Sequence, residues 1–200
     1  MNYTGPKVRR ARRVGIPLTP KASKIMERKH GGPGEPRVRS RRRQMSDYGR
    51  QLLEKQRLRY QYNIAEKQLR NTFMKAMGKH GNTGDILIRM LETRLDACVL
   101  RSGFARTIYA ARQYVTHGHF EVNGSRVKSP GYRLKAGDTL QIREKSRKMA
   151  CFRESLSQAV PPVYLEVSKD ELKTRLLSMP KRDEIPVECD IGQVVEFYSR

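Results

Sequence analysis

The sequence predicts an α+β chain: a mainly helical first lobe behind a basic N-terminal arm, with an inserted small α/β module of two helices and a short antiparallel sheet. Three observations predict it. Between residues 46 and 103, apolar side chains recur at helical spacing. Between residues 120 and 142 they alternate around an Asn-Gly pair, the signature of a tight hairpin. Residues 1–46 combine Pro, Gly and basic residues without a sustained apolar period, so alone they cannot bury enough surface to offset their ordering entropy. The expected boundaries are an arm at 1–46, a helical lobe at 47–90 completed by 151–200, a module at 91–150, and a C-terminal segment at 151–200 with a final strand.

Each element has its own signal. Ser46 or Asp47 caps a helix in which Leu52, Leu53, Gln56, Tyr60 and Ile64 form the apolar stripe, with Arg50, Lys55, Arg57 and Arg59 on other faces. A second helix runs from Ala65 to about Gly78 through Leu69, Phe73, Met74 and Met77, a stripe read as core. Thr83 or Asp85 caps a third, carrying Ile88, Leu91, Leu95, Cys98 and Val99 and stopped by Gly103. Thr107 caps a shorter helix with Ile108, Ala111 and Val115 inward, ended by Gly118. Phe120, Val122 and Val127 flank the Asn123-Gly124 turn, and Leu140 and Ile142 mark a further strand. Beyond these, EKSRKMACFRESLSQA reads as helix, VYLEV and VVEFY as strands, and KDELKTRLLSM as a short helix.

Charge decides the class of partner. The chain carries 42 Lys and Arg against 20 Asp and Glu, a formal net charge of +22, which repels itself unless a polyanion screens it. The charge is uneven: residues 1–50 hold 15 basic and 3 acidic groups, residues 151–200 hold 7 and 9. A nucleic-acid partner follows, with the arm read as a segment that orders on RNA. Three widely spaced cysteines, Cys98, Cys151 and Cys189, make neither a disulfide framework nor a CxxC metal knuckle. With no long apolar run and no apolar signal core, the chain reads as soluble and intracellular, without a membrane role.

Other chemistries lack support. His117 and His119 in THGHF invite a metal reading, but only Glu121 stands nearby as a further ligand, so no metal and no cofactor is expected. No nucleophile elbow, phosphate-binding glycine loop or apolar acid pair is present, so no catalytic residue is assigned. Glu92 and Asp96 read as helix-surface ion-pair partners. Arg106, Arg112, Gln113, His117, His119, Arg126, Lys128 and Arg133, by contrast, converge on a compact module, a surface suited to the closely spaced phosphates of folded RNA.

The stretch LETRLDACVLRSGFARTIYAARQYVTHGHFEVNGSRVKSPGYRLKAGDTLQIREKS, with YTGPK, SDYGRQLLEKQRLR and VVEFYSR elsewhere, closely resembles the bacterial-type small-subunit ribosomal protein S4 family across essentially the whole chain. The resemblance implies a non-enzymatic, cytoplasmic protein of the small ribosomal subunit, or of an organellar ribosome, with roles in translation and ribosome assembly. It implies early binding to the 5′ domain of small-subunit rRNA, nucleation of subunit assembly, and contact with ribosomal protein S5 at an interface linked to translational accuracy. It also implies a place near messenger RNA as it enters the subunit. Many members bind zinc through cysteines in the arm; Val8 and Ala11 stand where the first pair would lie, so this is a variant lacking them. Carried over by position, the RNA contacts are Tyr3, Lys7, Arg9, Arg10, Arg12, Arg13, Arg41, Arg42, Arg43, Tyr48, Arg50, Lys55, Arg57 and Arg59 in the first lobe. In the module they are Arg106, Thr107, Arg112, Gln113, His117, His119, Arg126 and Lys128. Similar modules are appended to RNA-modifying and aminoacylating enzymes, but this chain has no spare segment for a catalytic domain.

Overall fold

The computed structural model describes residues 3–29, 31–34, 45–157 and 159–199. It divides into two compact units, one of residues 1–84 and 187–200, the other of residues 85–186.

The first unit is helical. Helix α1 (Lys7–Val14) ends on Gly15, whose φ of 76° is the left-handed conformation glycine favours, and α2 (Pro20–Arg28) starts at Thr19, which accepts a hydrogen bond from the Ala22 amide. Much of the expected formless arm is therefore helix. Its anchors are small: Ala11, Val14, Ile16 and Ala22 are buried, and Arg57 Nε donates to the Val14 carbonyl at 2.9 Å. With two of these four residues alanine, the stripe gives little apolar signal in the sequence.

Helix α3 (Asp47–Gln61) is capped by Ser46, as its sequence predicts. Its buried face differs from the predicted one: Gln51, Lys55 and Leu58 are inward, continued by Tyr62, while Leu52, Leu53, Gln56 and Tyr60 are only part-buried. Helix α4 (Glu66–Met77) buries Leu69, Phe73 and Ala76 and leaves Met74 and Met77 about half exposed. The terminal VVEFY, expected as a strand, lies in a helix that begins at Ile191 and ends at Ser199. Val194, Phe197 and Tyr198 fit the i, i+3, i+4 spacing of one helix face, whereas period two would put Phe197 on the face opposite the other two, and Phe73 and Tyr198 stack at 5.0 Å.

The second unit is mixed. The expected single helix over 85–103 is broken into α5 (Thr83–Glu92) and α6 (Leu95–Arg101). At the break, Arg94 is extended and bridges Arg133, and the Leu95 amide donates to the Tyr132 carbonyl at 2.8 Å. Helix α7 (Ile108–His117) follows, with Thr107 and Gly118 as its caps. Strands β1 (Phe120–Val122) and β2 (Ser125–Arg126) flank Asn123 (φ 48°) and Gly124 (φ 78°), both left-handed as a two-residue hairpin demands. Then come β3 (Thr139–Ile142), α8 (Ala150–Ser157), β4 (Leu165–Ser168), β5 (Lys173–Leu176), and in the first unit the terminal helix, α9.

All five strands form one antiparallel sheet in the order β2-β1-β3-β5-β4. The segment KDELKTRLLSM thus supplies a strand rather than a helix, since Leu172, Thr174 and Leu176 point inward at period two. Because β4 and β5 extend the module's sheet, residues 151–186 belong to the second unit, and only 187–200 complete the first. The core of the second unit gathers Leu95, Val99, Phe104, Val115, Phe120, Ile142, Phe152 and Leu176 from its helices and sheet.

Candidate nucleic-acid interface

In the second unit the positive surface is built from α7 outward. Thr107 accepts from the Ala110 amide at 3.2 Å, fixing where the helix starts and leaving Arg106 exposed just before it, 3.7 Å from Glu154. Gln113 and His117 are exposed along the helix. At its C-terminus Gly118 is left-handed, and a Cβ there would lie 2.4 Å from Arg126 Nε. That space is taken by the Arg126 guanidinium, which donates to the carbonyls of Gly118 (3.3 Å) and His117 (3.1 Å). Arg126 thus serves as a cationic cap on the helix end and an exposed charge at once. Lys128 is exposed on the following loop.

His119 is more structural than its neighbour. Its Nδ1 lies 2.9 Å from Ser146 Oγ, its ring meets Tyr114 and Phe152 edge-on, and the His117 ring is 6.0 Å away. Burial first, then the charges of His117, Arg126 and Arg143, hold its pKa below the ordinary histidine value.

Arg112 departs from its expected role. It faces α6, its Nη1 3.5 Å from Asp96 Oδ2, rather than Arg126. Asp96 is fully buried and Glu92 nearly so, which corrects their reading as surface ion-pair partners. Asp96 accepts both arms of Arg94 at 3.0 and 2.7 Å; Glu92 accepts Arg101 at 2.5 Å and the Tyr164 hydroxyl at 2.8 Å. Burial raises the Asp96 pKa against the pull of both arginines. The same buried Glu92 pushes the Tyr164 hydroxyl up, after burial itself.

In the first unit the predicted contacts separate into exposed charges and internal partners. Arg9 and Arg13 on α1 are exposed; Lys7 is part-buried. Arg10 lies between two rings, 3.0 Å from the Tyr3 centroid and 4.6 Å from that of Tyr60. Arg12 donates to the Gly32 carbonyl at 2.9 Å. On α3, Tyr48 and Arg50 are exposed, Arg50 paired with Asp47.

Lys55 is not a surface cation. It is buried, 2.9 Å from Glu66 and 4.4 Å from the Phe197 ring. Arg59 shares Glu66 at 3.1 Å, and Arg57 pairs with Glu54 at 2.5 Å. Arg41, Arg42 and Arg43 lie outside the described residues. Arg94 and Arg143, beside the second unit's cluster, are absent from the predicted set; each sits one or two residues from an element boundary, where the sequence gives no facing direction. Among the described residues no group of three or more His, Cys, Asp or Glu side chains is placed to hold a metal ion. No helix of the described residues is long and apolar enough to cross a membrane.

Two family models cover this architecture: the ribosomal protein S4/S9 N-terminal domain over residues 2–92 and the S4 domain over residues 93–140. The chain belongs to the uS4 family of ribosomal proteins. It is 49% identical over 199 residues to the small ribosomal subunit protein uS4 of Micrococcus luteus, covering 96% of this chain and 95% of that protein. The uS4 protein of Streptomyces griseus is 48% identical, covering 100% and 99%, and that of Thermobifida fusca 45% identical, covering 100% of both. As a uS4 member, the chain has its S4 domain at α6, α7 and β1 to β3, and β4 and β5 are added to that domain's sheet.

Proposed function

We propose that this protein is a non-enzymatic structural constituent of the small ribosomal subunit that binds the 5′ domain of small-subunit rRNA and nucleates assembly around it. The observation that carries this reading is full-length identity near 48% to uS4 proteins, joined to a +22 chain whose exposed cations include Arg9 and Arg13 on α1, Arg50 on α3, and Arg106, Arg126 and Lys128 at the α7–hairpin end of the S4 domain. Guanidinium and imidazole donors there suit phosphate oxygens and splayed bases. By family resemblance it works in the cytoplasm, in contact with ribosomal protein S5 and close to incoming messenger RNA, and contributes to translational accuracy.

The test is a salt titration of the full chain against a transcript of the 5′ domain. Log affinity is expected to fall linearly with log salt, by about 0.7 to 0.9 per neutralised phosphate. A salt-independent affinity, or absence from sedimenting small subunits, refutes the reading.

A further inference from the structure

We propose that Asn123 is a modification site, converted to aspartate and isoaspartate by loss of its side-chain ammonia, and that a clamp from Asp138 and Thr139 confines this reaction to moments when the hairpin end opens. Of the five asparagines in the chain, Asn123 alone precedes glycine; the others precede Tyr, Ile or Thr, whose side chains shield the next amide nitrogen. Asn123 and Gly124 are both exposed, and a Cβ on Gly124 would meet nothing within 4 Å beyond its chain neighbours. The pair thus stands in open solvent.

The chemistry needs only water. The Gly124 nitrogen attacks Asn123 Cγ and releases its proton to solvent. As the new N–C bond forms, the Cγ–Nδ2 bond breaks and ammonia leaves with a proton from water, closing a cyclic imide. Hydrolysis of the imide N–Cγ bond gives aspartate. Hydrolysis of the bond from the same nitrogen to the Asn123 main-chain carbonyl carbon gives isoaspartate, in which the main chain runs through Cβ and Cγ. No group is oxidised or reduced.

In the folded hairpin the carboxamide is held at both ends. Its Nδ2 donates to Asp138 Oδ1 at 2.9 Å, and its Oδ1 accepts the Thr139 amide at 2.9 Å. The Asn123 amide donates in turn to the Thr139 carbonyl at 2.9 Å, and Asp138 is itself fixed by the Lys135 amide, which donates to its Oδ2 at 2.8 Å. Laying Cγ against the Gly124 nitrogen requires rotation about the Cα–Cβ and Cβ–Cγ bonds, which parts both side-chain hydrogen bonds. Left-handed φ at both turn residues, 48° and 78°, holds the main chain as well.

The product does not fit the clamp. A carboxylate at position 123 presents an acceptor, not an N–H, to the Asp138 carboxylate, and isoaspartate adds a methylene to a two-residue turn. That turn sets Glu121 opposite Arg126. The lesion therefore draws the Arg126 guanidinium away from the His117 and Gly118 carbonyls it caps.

The experiment incubates the full chain at mildly alkaline pH and separates the asparaginyl, aspartyl and isoaspartyl forms of the peptide around residue 123 by liquid chromatography with mass spectrometry. Folded wild type is expected to convert at least about tenfold more slowly than wild type unfolded in urea, because two hydrogen bonds must part first; equal rates overturn the proposal. Asp138→Ala is expected to speed folded-state conversion about tenfold, the weight of a hydrogen bond to a charged acceptor. Thr107→Ala, which weakens the start of α7 without touching the clamp, is expected to convert at the wild-type rate. A wild-type rate in Asp138→Ala, or rates in the two variants that both follow their urea midpoints, overturns the local clamp in favour of global unfolding. Should Asp138→Ala not fold, wild type alone decides: exchange of the Thr139 amide hydrogen reports clamp opening, and conversion is expected to rise in step with it across a temperature series. Conversion that rises while the Thr139 amide stays protected overturns the proposal.

Discussion

Arg112 is predicted from sequence as a surface cation, and its type and helix are right while its direction is not. The short helix α7 offers two polar sides, and only the fold reveals that one of them meets Asp96. The consequence is energetic. Arg112→Glu sets a second carboxylate beside a fully buried one, and the domain is expected to lose on the order of 3 kcal/mol, as for other uncompensated buried charges. Urea unfolding followed by circular dichroism checks this; a variant as stable as wild type places Arg112 in solvent. Arg126 was more legible: the Asn-Gly turn fixes the hairpin, and the hairpin fixes which strand returns to the end of α7. His119 lies between these cases, since its placement in a turn could be read but its hydrogen-bond distance to Ser146, 27 residues away, could not.

At the scale of elements, capping signals carry the most. Ser46, Thr107, Gly118 and the Asn123-Gly124 pair each set a boundary where the sequence predicts one, because each acts through its own backbone and its immediate neighbours. Thr107→Ala is accordingly expected to cost about 1 kcal/mol of stability, read from the shift in urea midpoint; no shift would mean the Ala110 amide finds water instead. Elements decided by distant partners are misread. VVEFY becomes helix because Phe73, Lys55 and Glu66 receive its rings and hydroxyl. LETRLD breaks because residues 130–134 pair with it, and a helical pattern contains no sign of a partner some 35 residues away.

For the whole molecule, the charge imbalance is read directly from the sequence, and the second unit spans 85–186, against the expected 91–150, because β4 and β5 join the sheet. The charge is also less exposed than its count suggests, as Lys55, Arg57, Arg59, Arg94 and Arg112 are buried or part-buried and all pair with carboxylates of the chain itself. This internal use makes stability respond to acid. Burial alone would raise the Glu66 pKa, but hydrogen bonds from Tyr198, Lys55 and Arg59 outweigh it and hold the carboxyl below its ordinary 4.5. Its stabilising contribution is full above that ordinary value and is lost as pH falls through the lowered one. Between about pH 6 and about pH 3, Glu66→Gln is expected to flatten the loss of stability seen in wild type. Equal acid sensitivity in the two proteins would remove Glu66 from the account.

The return of residues 187–199 to the first unit also has a consequence in time. Lys55 and Glu66 are synthesised more than 120 residues before Phe197 and Tyr198, the side chains that complete their surroundings. Residues 85–186 leave the ribosome as one uninterrupted stretch with a core of their own, so the second unit can fold while the first is still open. On a nascent chain the first unit to emerge is thus the last to close.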